Sequence, residues 1–90
     1  MMTNYVFTEH ARFEIKRRAL SEAIVVGVIE NPEQQWEVRN GRSVMQSHFS
    51  MYGTEKQYLV RVFMDIDRHP QEVVTVYKTS KIEKYWREDL

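Results

Sequence analysis

The sequence predicts an α+β domain: two N-terminal helices packed on a three- to four-stranded antiparallel sheet, followed by a short C-terminal helix. Three observations lead there. Two capped, helix-like segments fill the first third and stop at Asn31-Pro32. An Asn40-Gly41 pair between two alternating runs marks a tight hairpin. Two further runs with strand character, Tyr58–Ile66 and Val73–Thr79, are joined by a polar turn and lead into a basic, aromatic tail. At 90 residues, with 42% hydrophobic residues, 3 Gly and 2 Pro, the chain has the size and composition for one folded domain spanning 1–90.

Taken in order, Tyr5–Phe7 reads as a short edge strand or a hydrophobic lead-in. Thr8 is an N-cap for a helix over 9–19, with Glu9 well placed for the dipole. Leu20 and Ser21 read as a break and a new cap. A second helix follows over 22–30, where β-branched residues pull toward strand and the caps at both ends favour helix. Asn40-Gly41 fits a type I′ turn, which pairs Arg39 with Arg42 and Trp36 with Met45. That register puts Trp36, Val38, Met45 and Phe49 on a core face. Residues 52–56 form a loop. In the last strand, alternation sets Val74 and Val76 toward the core and Val73, Thr75 and Tyr77 on the opposite face. Ser80-Lys81-Ile82-Glu83 has the spacing of a capping box, opening a helix with Ile82, Tyr85 and Trp86 on one side.

Composition narrows the function. No cysteine is present, so disulfides and thiolate metal sites are excluded. His10, His48 and His69 lack paired ligand spacing, and neither a metal nor a cofactor is expected. No apolar stretch reaches transmembrane length and the first residues lack a signal-peptide pattern, so a cytoplasmic, non-membrane protein is expected. Thirteen basic residues balance thirteen acidic ones, unlike a dedicated nucleic-acid binder. The cations are nonetheless clustered, early at Arg12, Lys16, Arg17 and Arg18, and late at Lys78, Lys81, Lys84 and Arg87.

Two groups of residues have the chemistry for a site. On the first helix His10, Glu14 and Arg17 lie close together on the side away from the sheet-facing stripe of Ala11, Ile15 and Ala19, with Arg18 at the edge of that stripe; a His beside a carboxylate and guanidiniums can move a proton near a phosphate. The plain alternative is a solvated helix face with pairs at spacing four. On the last strand the hydroxyls of Thr75 and Tyr77 can hydrogen-bond a phosphate, with Lys78 and Lys81 close in sequence. Ordinary strand propensity explains them as well. His69-Pro70 reads as an exposed turn, and Asp65 and Asp67 as turn chemistry. Tyr85 and Trp86 can stack on bases or dock the terminal helix on the sheet.

The whole chain resembles the bacterial domain-of-unknown-function family numbered four-two-five-eight, which is related to the RelE-like and BrnT-like toxins. The resemblance is carried by His10-Ala11-Arg12, Arg18, Leu20-Ser21 and Asn31-Pro32, then by Val73-Val74-Thr75-Val76-Tyr77, Lys78-Thr79-Ser80 and Lys84-Tyr85-Trp86. It implies a fold of the barnase, colicin and RelE type, in which N-terminal helices cover one face of an antiparallel sheet and the open face holds an RNA site. It also implies a metal-independent endoribonuclease, the toxin of a toxin–antitoxin pair, with RNA and a cognate antitoxin as partners and a monomer or homodimer as its state. Carried over, His10 is the general acid or base, Arg18 contacts the scissile phosphate, and Thr75 and Tyr77 orient it. Arg12, Arg17, Lys78 and Lys81 are the accompanying substrate-binding residues. Many relatives have a basic residue four positions after the His, where this chain has Glu14. Glu14 as base with His10 as acid is therefore a second assignment. A non-catalytic protein-binding module on the same fold is the alternative function.

Overall fold

The computed structural model describes residues 4–51 and 53–90; Tyr52, in the expected loop, lies outside them. The fold is α+β. Strand β1 (Tyr5–Phe7) is followed by helices α1 (Glu9–Arg17) and α2 (Glu22–Glu30), strands β2 (Gln34–Arg39), β3 (Arg42–Ser50), β4 (Gln57–Asp65) and β5 (Gln71–Thr79), and the single-turn helix α3 (Ile82–Tyr85). The sheet has five strands in the order β1-β5-β4-β3-β2. It is mixed rather than antiparallel, because β1 joins it parallel to β5.

Both long helices start as their sequences predict. Thr8 Oγ1 accepts from the Ala11 N–H at 3.1 Å, and Ser21 Oγ from the Ile24 N–H at 3.2 Å. Helix α1 ends two residues before the predicted boundary. Arg18 is its C-cap and Ala19 takes a left-handed conformation, φ 56°. The Leu20 N–H then reaches the Ile15 carbonyl and the Ala19 N–H the Lys16 carbonyl, a Schellman closure built on an alanine where glycine is usual. Helix α2 buries Val25 and Val28, so burial on one side settles the balance between helix and strand propensity.

Helices α1 and α2 cover one face of the sheet. Ala11, Ile15, Val25 and Val28 pack there against Met45, Val60, Val62, Met64, Val73 and Val76, with Phe49 and Ile66 at the margin. Two bulges set which residues face this core. In β5 the register with β4 steps from Phe63–Thr75 to Met64–Val73, leaving Val74 as the extra residue. Val73, expected on the open face with Thr75 and Tyr77, is therefore fully buried beside Val76, and Val74, expected in the core, is the bulged residue.

In β2, Arg39 pairs with Arg42 as predicted, but Val38 is bulged, so Trp36 pairs with Val44 instead of Met45. Trp36 moves to the open face and Val38 is 43% exposed; neither joins the core. The turn between β2 and β3 is not type I′ either, since Gly41 (φ 87°) has positive φ and Asn40 does not. Close packing explains the glycine: the Ile66 N–H donates to its carbonyl, and a Cβ there would lie 2.5 Å from Asp67 Oδ2.

At the C-terminus the capping box does not form. Lys81 takes the cap position without a side-chain bond, and its N–H donates to Thr79 Oγ1 at 3.0 Å. Among the described residues no helix is long and apolar enough to cross a membrane.

Two substitutions test this account by urea denaturation. Thr8→Val, which keeps the shape and loses the cap, is expected to cost about 1–2 kcal/mol. Ala19→Gly, which relieves the left-handed alanine, is expected to stabilise by about 0.5–1 kcal/mol; no gain would mean that the closure is unstrained.

Candidate functional site

On the face away from α1 and α2, alternation aligns side chains in rows across the strands. Gln34, Gln46, Arg61 and Tyr77 form one row of cross-strand neighbours, and Trp36, Val44, Phe63 and Thr75 the next. Residues 85–87 lie over the β2–β3 half of this face. Between them and the overhanging edge of α1 a cleft of about 540 Å³ remains, lined by His10, Glu14 and Arg18 of α1, Arg61 and Phe63 of β4, Thr75, Val76 and Tyr77 of β5, and Tyr85.

Helix α1 contributes a row at spacing four. Ala11 and Ile15 hold it on the core, and its first turn is tied to β5 because the Thr8 N–H and Oγ1 both donate to the Val73 carbonyl, at 3.1 and 3.0 Å. His10, Glu14 and Arg18 then face the strand across the cleft. Glu14 is the hub. Its Oε1 accepts from Arg18 Nε at 3.0 Å and Arg17 Nη1 at 3.2 Å, and its Oε2 lies 4.0 Å from His10 Nε2. Burial is the largest single influence on this carboxyl and acts to raise its pKa. The hydrogen bonds and charges of Arg18 and Arg17 together outweigh it and hold the pKa below the usual glutamate range.

The strand side supplies hydroxyls, rings and a second guanidinium. Arg18 sits 4.7 Å from the Tyr77 ring centroid, and Tyr77 meets Tyr85 edge to face at 5.8 Å. The Tyr77 hydroxyl has its pKa lowered, first by Tyr85, whose hydroxyl can donate to the phenolate. Burial opposes this, while Thr79 and the charges of Arg18 and Lys84 add to it. Arg61 rises from mid-strand beneath Tyr85, 4.4 Å from its ring, and donates from Nε to Gln46 Oε1 at 2.8 Å. Burial lowers its pKa against the opposing influence of Tyr85 and Tyr77. No carboxylate pairs with Arg61 among the described residues.

The structure thus brings His10, Arg18, Thr75 and Tyr77 to one cleft. It does not bring the other four predicted binding residues there. Arg12 lies farther round α1, paired with Glu22 and over the Phe7 ring. Arg17 contacts Glu14 from outside and lines a neighbouring hollow with Arg18, Ala19 and Lys78. Lys78 alternates to the helix-bearing side, its Nζ 5.1 Å from the Tyr58 ring, and Lys81 is exposed at the start of α3.

His48 is engaged elsewhere, 2.8 Å from Glu33 Oε1 and against Trp86, the two rings 4.7 Å apart and tilted by 47°; His69 is exposed in the turn before β5. Asp65 belongs to an ion pair with Arg42 at 2.7 Å. Sequence reasoning passed over Arg61 as a site residue. The signal for Arg61 was its alternation with Phe63 in an otherwise apolar strand, on the face that Thr75 and Tyr77 share. Among the described residues no group of three metal-ligating side chains converges. Comparison with protein-family models, curated proteins and solved structures finds no match to this chain.

The charge hub predicts a pH dependence. Glu14's folded pKa is depressed, so its contribution to stability is present above about pH 4.3, the unfolded value, and is lost as pH falls through the lower folded value. Thermal unfolding followed from pH 7 to pH 3 should show a shallower acid limb for Glu14→Gln than for the wild type. Parallel curves would mean that Glu14 has no differential interaction with the arginines.

Proposed function

We propose that the chain is an endoribonuclease that cleaves RNA by attack of a ribose 2′-hydroxyl on the adjoining phosphate, acting as the toxin-like member of a toxin–antitoxin pair. The observation that carries the reading is the convergence of an imidazole, two guanidiniums and two hydroxyls on one open-face cleft. The placement of helices on one face and the polar cleft on the other also fits the barnase, colicin and RelE arrangement. The toxin role rests on the sequence resemblance.

The reaction needs a base, an acid and a cationic clamp, and each has a residue. His10 takes the 2′-hydroxyl proton as the P–O2′ bond forms. Glu14, with its lowered pKa, is a weak base at neutral pH; it serves better as the anion that holds Arg18 in place and supports the imidazolium. Arg18 and Arg61 flank the phosphate and offset the charge that grows on its oxygens. Tyr77, whose pKa is lowered, gives its proton to the leaving 5′-oxygen as the P–O5′ bond breaks, and Thr75 hydrogen-bonds a non-bridging oxygen. The products are a 2′,3′-cyclic phosphate and a 5′-hydroxyl. Phe63 and Tyr85 offer faces on which the flanking bases stack. The hollow beyond Arg18, with Arg17 and Lys78, takes a neighbouring phosphate.

One observation favours the alternative of a protein-binding module. A groove of about 670 Å³ on the helix-bearing side is floored by Ile29, Met45, Met64 and Ile66 and edged by Tyr5 and Gln71. An antitoxin segment seated there would leave the cleft open, so the two readings differ in whether the cleft itself is active.

Controlled expression in a bacterial host decides between them. Growth arrest with fragmented RNA is expected for the wild type. With purified protein, His10→Ala should lower the cleavage rate by about 10²–10⁴-fold and leave the circular dichroism spectrum unchanged. Tyr77→Phe should also be slow, and 2′-O-methyl RNA should resist cleavage. Intact RNA and normal growth from a folded wild type would sink the nuclease reading and favour the module.

A further inference from the structure

Gln46 is fully buried in the middle of the open face, yet it is a polar residue with three groups to satisfy. All of them are satisfied. Its Oε1 accepts from Arg61 Nε at 2.8 Å, and its Nε2 donates to Gln34 Oε1 at 2.8 Å and to the Tyr85 carbonyl at 3.1 Å. Gln34 repeats the pattern one strand out: its Oε1 also accepts from the Arg87 N–H at 3.1 Å, and its Nε2 donates to the Arg87 carbonyl at 2.6 Å. A side-chain amide here stands in for a neighbouring strand and binds the backbone of the C-terminal segment from both sides.

Polarity makes this relay one-way. Arg61 only donates, so the oxygen of Gln46 must face it and the nitrogen must face Gln34. The oxygen of Gln34 must then face Gln46, which leaves its nitrogen for a carbonyl. The docked backbone at Arg87 presents that carbonyl together with an N–H for the oxygen. Reversing either amide sets donor against donor or acceptor against acceptor.

We infer that residues 85–87 are a working part of the substrate site, and that Gln46 is a positioning residue through which docking of this segment aims the Arg61 guanidinium at a phosphodiester in the cleft. The inference rests on the nucleic-acid reading for the identity of the anion, not for the linkage. Arg61 uses one of its five N–H groups on Gln46 and lies between the Tyr85 and Phe63 rings, 4.4 and 5.2 Å from their centroids. It is a half-buried cation, without a carboxylate partner among the described residues, whose remaining donors are available to a phosphate. Undocking the segment removes the Tyr85 lid from one side and takes from Gln46 its Tyr85 carbonyl acceptor and from Gln34 both Arg87 partners, and these losses loosen the relay that holds the guanidinium.

The test uses the whole chain and two probes, a single-stranded 2′-O-methyl RNA that cannot be cleaved and inorganic phosphate. Arg87→Pro deletes the N–H that Gln34 accepts, and the extended Trp86 (ψ 132°) suits a following proline. Arg87→Gln keeps that N–H and removes only the guanidinium. Gln46→Met keeps the volume of the central residue and removes its hydrogen bonds.

Arg87→Pro and Gln46→Met should each bind the oligonucleotide about tenfold more weakly, and Arg87→Gln by less than threefold. The Arg61 Nε–H nuclear magnetic resonance signal should be protected in the wild type and in Arg87→Gln, shift on adding phosphate, and exchange rapidly in Arg87→Pro. An Arg61 signal indifferent to Arg87→Pro in a folded protein would overturn the linkage, even if RNA is cleaved. A signal that responds to phosphate and to Arg87→Pro, with no cleavage of ordinary RNA, would sustain the linkage and remove the nuclease reading.

Discussion

The hydroxyl of Thr8 is the contact on which the rest of the site depends. It accepts the Ala11 N–H as an N-cap and at the same time donates to the Val73 carbonyl. The Thr8 N–H goes to the same carbonyl. Starting a helix and fixing it to a strand are thereby one event. The carbonyl belongs to the bulged part of β5, where Val74 is the extra residue. A bulge bends its strand and increases the local twist, and in this one Val73 and Val76 both enter the core while Thr75 and Tyr77 stay on the open face. Helix α1 therefore begins at the position from which residues 10, 14 and 18 overhang the hydroxyls of β5. A helix started one residue later would turn that row by about 100° and send His10 and Glu14 elsewhere.

Local signals account for what was legible in the sequence. Thr8 and Ser21 act within one helical turn, and the Asn31-Pro32 stop and the Asn40-Gly41 turn need no knowledge of the rest of the chain. Those elements stand where the residues put them, and the grouping of Thr75 with Tyr77 follows from period-two alternation alone. What escaped was non-local. An extra residue at Val38 or Val74 leaves no local mark, because a valine in a bulge looks like a valine in a strand. Each slip changes the face of everything beyond it, which is why Trp36 and Val73 exchanged sides. The parallel partner of Tyr5–Phe7 lies far along the chain and is equally invisible. Arg61 carried a local signal, its place in the alternation of β4, but what the guanidinium does there depends on its acceptor, Gln46, and its ring partner, Tyr85, both distant in sequence.

Charge balance conceals the electrostatics of the cleft. Thirteen cations and thirteen anions cancel in the total, but many of the anions are already matched away from the site. Glu22 pairs with Arg12, Asp65 with Arg42 and Asp89 with Arg87. A matched pair projects little field beyond a Debye length of about 8–10 Å. The cleft has Arg61 and Arg18 in its lining, with Lys84 beside Tyr85 and Glu14 as the opposing charge. A neutral chain can in this way present a local cationic surface with rings around it, while lacking the broad basic field that draws a protein to any nucleic acid.

Glu14 opposes the proposed reading at first sight, since a carboxylate in the cleft repels a phosphate. It answers a problem of geometry. Arg18 is the C-cap of α1, at the point where the helix ends and side chains are least constrained. Its backbone N–H and its Nε both bind Glu14, at 3.0 Å each, so one residue fixes the end of the helix and the direction of the guanidinium. The same carboxylate holds Arg17 on the far side and lies under His10 on the near side. Without it the cleft would be more positive and would attract anions more strongly, but His10 and Arg18 would lose their common anchor. Catalysis by a positioned acid, base and clamp depends on orientation more than on ground-state attraction. A buried anion that weakens anion attraction and fixes the direction of Arg18 fits the proposed turnover better than simple retention of a ligand, which a basic side chain at this position would serve better.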